Sequence, residues 1–254
     1  GVTVTKIDTQ GGSVSGVRLD TGEFIAADIV VSNSDAALTR DLLSQPDQKL
    51  MPKITDSPSL AGFVLLLALD GTTEGIAHHN VWFPENYNAE FDAIFARSPT
   101  PPNDPAIYAC VPDDPQMRPS PDCESWFILV NAPRHDSSGA NGFNWNASGC
   151  KEQYAQQILD ILAARGTDIR HRVKWQEIRT PADLERDAMA PGGSIYGTSS
   201  NGPRAAFTRP ANQSNIPGLY LVGGSSHPGG GLPLVGMGAE ITAELIGRAE
   251  KPNP

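Results

Sequence analysis

Positive charge is scarce. The 254-residue chain sets 19 Lys and Arg against 29 Asp and Glu, for a net charge of −10. Without a basic stripe it is a poor candidate for binding nucleic acid through phosphates. Cysteine is scarce as well. Cys110, Cys123 and Cys150 are widely spaced and odd in number, which suits a reducing compartment better than a disulfide framework. The longest purely apolar run, Phe63 to Leu69, is seven residues, far below the roughly 20 that a membrane-spanning helix needs. A signal peptide, a starting Met, an internal repeat and a low-complexity tail are all absent from the sequence. At 39% hydrophobic residues the chain is too apolar to be disordered, and its glycines follow no collagen period. These exclusions leave a soluble, cytoplasmic globular chain, long enough for one or two domains with a sizeable core.

What the sequence has in excess is backbone punctuation, 25 Gly and 22 Pro, where average usage of the two is about 12%. Nine prolines lie between Pro99 and Pro133, arguing for extended, irregular connections and against helix. Thirteen glycines lie between Gly192 and Gly247.

Local patterns place the elements. Val2, Val4 and Ile7 read as a strand, Gln10-Gly11-Gly12 as a turn, and Val14, Val17 and Leu19 as its partner. Asp20-Thr21-Gly22 then turns the chain before Phe24 and Ile25. Asp28 to Ser32 reads as a buried strand, and Asn33 or Ser34 as the cap of a helix carrying Leu38, Leu42 and Leu43. Phe63 to Leu69, Val81 to Phe83, Ala106 to Val111, Trp126 to Val130 and Val173 to Ile178 are further strands. Lys151 to Arg165 is a helix with Tyr154, Ile158, Ile161 and Leu162 on one face, stopped by Gly166. A chain opening directly in a strand is expected to be cut at Gly1, with the natural protein extending upstream.

Gly218 through Gly247 carries the chemistry. It parses as a buried strand (Leu219 to Val222), a glycine loop (Gly223 to Pro233) and a helix from about Leu234 to Ala249. Glycines at a strand end let backbone approach a ligand closely, and the helix start beyond them offers unpaired N–H groups and partial positive charge. The arrangement suits a phosphate or a reduced flavin. No Gly-Lys-Ser/Thr follows, so the loop is not a phosphate-binding P-loop, and it does not match G-x-G-x-x-G near a chain start. A flexible strand–helix turn is the bland alternative.

His227-Pro-Gly-Gly-Gly-Leu-Pro-Leu-Val235, preceded by Gly218-Leu-Tyr-Leu-Val-Gly-Gly224, resembles the C-terminal signature of phytoene desaturase-type flavoproteins, the FAD-dependent carotenoid desaturases and oxygenases. Gly22 to Ser34, Ala77 to Phe83, Tyr87 to Phe95, Gly193 to Gly197 and Arg204 to Pro210 are similar to family segments in the same order. Gly230 stands where many relatives have Ala, and Ser225-Ser226 replaces a Gly-Thr type pair. The resemblance implies a mixed α+β and α/β fold, the C-terminal part of a two-domain flavoprotein. Residues 1–50 would be late elements of the FAD domain, 51–190 the substrate domain, and 191–254 the return to the FAD domain. The family's opening G-x-G-x-x-G is absent, so a missing N-terminal half is the first implied partner.

The same resemblance assigns FAD contacts. Gly223 and Gly224 would lie beside the ribityl and pyrophosphate region. Gly230, Gly231, Leu232, Pro233, Leu234 and Val235 would line the isoalloxazine edge, and Val4 would touch adenine through its main chain. The implied chemistry is oxidation of a C–C bond beside a conjugated polyene, with hydride passing to flavin N5 and a proton lost from the neighbouring carbon. A hydrophobic polyene implies peripheral contact with the inner membrane, for which the Pro-rich stretch 99–133 is the candidate mobile edge.

Other readings compete. His227 is the candidate catalytic residue, as donor or base, against a role in shaping the turn before Pro228. His78-His79 suggests a metal, but adjacent strand residues point to opposite faces and no Cys or carboxylate is seen to complete the set, so no metal is expected. Ser225, Ser226 and His227 hold hydrolase ingredients without a G-x-S-x-G elbow. Phe63 to Leu69 is a tunnel lining or a plain core strand. As a whole, the chain could instead be a substrate-binding module without activity or FAD of its own, or part of an amine oxidase, for which Tyr220 and Trp175 are the only aromatic clues.

Overall fold

Gly11 and Gly12 both take positive φ, 61° and 86°, which a two-residue hairpin loop of the favoured hand requires at both positions. They join β1 (Val4–Gln10) to β2 (Ser13–Leu19), and β3 (Phe24–Ala26) completes an antiparallel three-stranded sheet. The computed structural model describes residues 1–43, 58–118, 120–199 and 209–248. The chain divides into two units, Gly1–Ser59, Met189–Pro191 and Ile195–Pro254 in the first, Leu60–Ala188 and Gly192–Ser194 in the second. The expected domain boundary near residue 50, most of Arg204 to Pro210, and Ala249 lie outside the described residues.

In the first unit β4 (Val30–Ser32) leads to α1 (Ala36–Asp41). Asp35 caps α1, its Oδ1 accepting from the Ala37 amide at 2.9 Å, in place of the expected Asn33 or Ser34. Asn33 instead packs beside Gly223. The 28–32 run is less buried than its composition suggests. Ile29 and Val31 are exposed, Val31 at 46%, because β4 has one strand partner among the described residues. The core here is Ile7, Val14, Leu43, Ile216, Leu219 and Leu221.

The second unit is built on a five-stranded antiparallel sheet. Its strands are β5 (Ala61–Asp70), β6 (His79–Trp82), β7 (Ile107–Cys110), β8 (Cys123–Ala132) and β9 (Val173–Arg179), in spatial order β6-β7-β8-β5-β9. Alternation sets two faces. Phe63, Leu65 and Leu67 pair with Val130, Ile128 and Trp126, and all six are buried on one face. α3 (Cys150–Ala164) buries Tyr154, Ala155, Ile158, Leu159 and Leu162, which belong to the same core. Each such fully buried aliphatic or aromatic side chain contributes about 1.5–3 kcal/mol. Phe63, Leu65, Leu67 and Leu69 therefore make this face of the run a core face.

The prolines do not make 99–133 a mobile edge. Those among the described residues sit outside β7 and β8, which contain none, and β8 is the central strand of the sheet. Two short helices escape the periodicity reading, α2 (Tyr87–Ile94) and α4 (Pro181–Ala188). Their signals are caps. Asn86 accepts from the Ala89 amide. Thr180 and Asp183 bond each other's backbone reciprocally, a capping box.

The chain returns to the first unit through β10 (Leu219–Leu221), parallel to β4, and ends its described part with α5 (Leu232–Ile246). No helix among the described residues is long and apolar enough to cross a membrane.

Candidate cofactor site

β10 delivers the glycine loop at its C-terminal end. Its three residues are buried, and Val222 continues the ladder by donating to Ser32 O at 2.9 Å. Gly223 then turns with φ 99°, where a Cβ would lie 2.5 Å from Asn33 Oδ1. Both conditions exclude a side chain there.

The loop is held by side chains from several directions. Arg209 Nη1 donates to Gly224 O at 2.7 Å and Tyr196 O at 2.9 Å. Burial pulls the Arg209 guanidinium below its usual pKa, yet the group stays cationic because an arginine titrates so far above neutrality. Asn212 Nδ2 donates to Leu221 O and His227 O, and the His227 amide donates to Pro210 O at 2.8 Å. Ser226 Oγ donates to Gly223 O, and Ser225 Oγ accepts from the Ala36 amide. Both serines are thus engaged with backbone, and neither hydroxyl bonds His227, so the hydrolase geometry is not formed.

Beyond the cis His227–Pro228 bond the chain reaches α5. Gly230 packs where a Cβ would be 2.7 Å from the Tyr196 ring, while Gly231 has φ 104° with open space beside it. Gly231 is the N-cap of α5 and provides no side-chain cap. Pro233 near the start lacks an N–H, which leaves the Leu232 and Leu234 amides to face outward. Leu232 is 88% exposed. The result is an uncapped helix start of partial positive charge, open to a ligand that is or becomes negative.

The individual site residues fall as follows. Gly223, Gly224, Gly230, Gly231, Leu232, Pro233, Leu234 and Val235 form one continuous loop and helix start. His227 has both backbone groups bonded, which fixes the turn before Pro228, and its side chain is exposed. Val4 is half-buried in β1, opposite Leu19. Arg209, Tyr196 and Asn33 shape the loop from segments that the resemblance singles out without assigning these side chains a role, and Asn212 shapes it from outside any of them. Gly236, an exposed helical glycine with nothing within 4 Å of its Cβ position, was legible only as one more glycine.

In the second unit the sheet face away from α3 is only partly covered. Leu66, Ala68 and Leu129 are half-buried there, flanked by exposed Phe127, Val81 and Trp175. The expected separation of His78 from His79 does not hold. His78 precedes the first residue of β6, so strand alternation does not govern it, and the two rings lie 4.5 Å apart. Cys110, overlooked in sequence, joins them. Tyr220 is buried in β10 of the first unit, whereas Trp175 is exposed in β9 of the second.

No protein-family model matches the chain. Related proteins are nevertheless clear. The 1-hydroxycarotenoid 3,4-desaturase of Flavobacterium sp. (strain P99-3) is 33% identical over 246 residues, covering 96% of this chain and 49% of that protein. The hydroxyneurosporene desaturase of Rubrivivax gelatinosus is 33% identical over 95% of this chain and 45% of its own length. The 4,4'-diaponeurosporene oxygenase of Staphylococcus aureus (strain USA300) is 31% identical over 100% of this chain and 50% of its own. The chain spans about half the length of the curated relatives it matches. Among solved structures, an oxidoreductase from Methanosarcina mazei has the same fold with a TM-score of 0.54 at 16% identity, covering 96% of this chain and 49% of that one.

Proposed function

The chain is homologous over nearly its whole length to carotenoid desaturases and oxygenases, and from that premise we propose that it is part of an FAD-dependent oxidoreductase acting on a carotenoid-like polyene. The observation that carries the cofactor is the glycine loop ending in the uncapped start of α5. Gly223 and Gly224 would admit the phosphate and ribityl region. Gly230 to Val235 would meet the ring edge through backbone, and Val4 would meet adenine. When bound, the flavin would supply the two-electron acceptor for C–H oxidation of the polyene. The protein's own share is positioning. The outward amides at Leu232 and Leu234 favour negative charge at the ring edge, and Arg209 holds the loop in that geometry.

The open sheet face around Leu66, Phe127 and Leu129 supports a long apolar substrate, since its half-buried side chains leave apolar area to be covered. α5 supports a second proposal. It buries only Gly238 and Thr242 while Leu234, Met237 and Leu245 are exposed, a distribution expected of a helix covered by more protein. The upstream FAD-binding half is the partner proposed for it. For contact with a membrane surface, the exposed rings of Phe83 and Tyr87, edge to face at 5.8 Å, replace the Pro-rich stretch as the proposed anchor.

Flavin absorbance tests the reading. The protein extended upstream should purify yellow or take up one FAD, and Gly231→Val should lose FAD while staying folded by circular dichroism. A folded, colourless protein that gains no flavin on reconstitution overturns it. The module reading rests on the absent G-x-G-x-x-G and predicts that the 254 residues alone bind no FAD. Stoichiometric FAD in the isolated chain would refute that reading.

A further inference from the structure

Among the described residues, His78, His79 and Cys110 form a group whose donor atoms all lie within 4.8 Å of one another. The topology of the sheet edge makes this grouping. β6 and β7 run antiparallel with His79 directly opposite Cys110. The Val111 amide donates to His78 O at 2.7 Å, closing the adjacent pair as a hydrogen-bonded one. His79 and Cys110 therefore occupy the narrower, non-hydrogen-bonded type of pair, in which side chains approach most closely.

Each imidazole already has an orienting partner. His78 Nδ1 is 3.2 Å from Asp113 Oδ1, and His79 Nδ1 is 2.9 Å from Tyr108 Oη. With Nδ1–H donating in both, each Nε2 keeps a lone pair for a metal. A carboxylate or hydroxyl on the far nitrogen is the usual support of a ligating histidine. Tyr108 lies two residues before Cys110 on the same face of β7.

We propose that His78, His79 and Cys110 bind a divalent transition ion of the zinc class at the β6 edge of the second unit. Two imidazoles and one thiolate are a borderline-to-soft set, suited to zinc and unsuited to magnesium or calcium, which take oxygen. Drawing the donors to bonds of about 2.0–2.3 Å requires side-chain rotation, which the partial exposure of all three residues permits. On binding, the Cys110 thiol releases its proton to solvent and no electron is transferred. The fourth position falls to water, and Asp113 stays on His78 Nδ1 as its orienting partner. The ion would join the edge strand β6 to β7 and the segment after it, independently of any flavin.

Titration of the purified protein with Co2+, followed by Zn2+, tests the site. One equivalent of cobalt should bind, with a thiolate-to-cobalt charge-transfer band and the intense visible bands of a four-coordinate ion, and zinc should displace it. Cys110→Ser should abolish the charge-transfer band, whereas Cys123→Ser and Cys150→Ser should leave it unchanged. Asp113→Asn, which removes only an orienting partner, should weaken cobalt by about 10-fold, and His79→Ala should weaken it more. Circular dichroism on each variant establishes that it is folded. A folded wild-type protein without the thiolate band, or a band that survives Cys110→Ser, overturns the proposal.

Discussion

Ser225 Oγ accepts a hydrogen bond from the Ala36 amide at 3.0 Å, tying the glycine loop to the first turn of α1 across 189 positions of sequence. The next amide, Ala37, is satisfied locally by Asp35. Two neighbouring orphan donors of one helix start are thus capped by one near and one remote side chain.

Ser225→Ala leaves the Ala36 donor without its acceptor and should cost about 1 kcal/mol, the usual worth of an N-terminal cap. Urea unfolding should show a lower midpoint at unchanged slope. A midpoint equal to wild type would mean that water replaces the hydroxyl fully.

Gly231 and Gly236 should respond in opposite directions. Gly231→Ala places a side chain at φ 104° and should destabilise by about 1–3 kcal/mol through backbone strain. Gly236 lies in α5 with open space around it, so Gly236→Ala should stabilise by up to about 1 kcal/mol. Thermal unfolding of both variants reads this. If the flavin edge lies along the α5 start, Gly236→Ala should also lower FAD affinity in the upstream-extended protein. Destabilisation by Gly236→Ala would contradict the open space.

Glu124 should set the acid limit of the second unit. Burial alone would raise its pKa, but bonds from the Thr73 amide and hydroxyl, Trp126 Nε1 and Arg172 outweigh it and leave the carboxyl below its usual value. A lowered folded pKa stabilises fully above the unfolded value of about 4.3 and is lost as pH falls through the folded one. Glu124→Gln also leaves Arg172 unpaired there, with an expected cost of about 3 kcal/mol at neutral pH. Melting curves from neutral pH down to pH 2 should show wild type losing its advantage over Glu124→Gln below about pH 4. Parallel curves would exclude Glu124 as the titrating group.

The proposed membrane contact depends on exposed rings. Phe83 is 65% exposed and Tyr87 lies edge-on to it. The double variant Phe83→Ser, Tyr87→Ser should reduce cosedimentation with lipid vesicles by about tenfold, equivalent to about 1.4 kcal/mol. Binding at the wild-type level would remove this patch from consideration.

Much of the architecture follows rules that act over a few residues. Gly11-Gly12 specifies a hairpin because both positions need positive φ. The apolar run Trp126 to Val130 and the four-residue spacing of Tyr154 and Ile158 declare strand and helix, and the strand–glycine–helix order of 218–247 marks the proposed cofactor site. Short helices were harder to read, since α2 and α4 are signalled by Asn86 and the Thr180–Asp183 box more than by periodicity. The two strands within 99–133, β7 and β8, were legible as the apolar stretches Ala106 to Val111 and Trp126 to Val130 between the prolines.

Tertiary pairing decided the rest. Only the sheet order puts β8 at the centre, only the β6–β7 register brings Cys110 to His79, and only the fold delivers Ser225 to Ala36. Sequence periodicity reports which face of an element is apolar, but it does not report which distant element covers that face. That choice depends on chain closure between segments tens to hundreds of residues apart, and polar side chains such as Arg209 and Asn212 acquire their roles only once those segments meet.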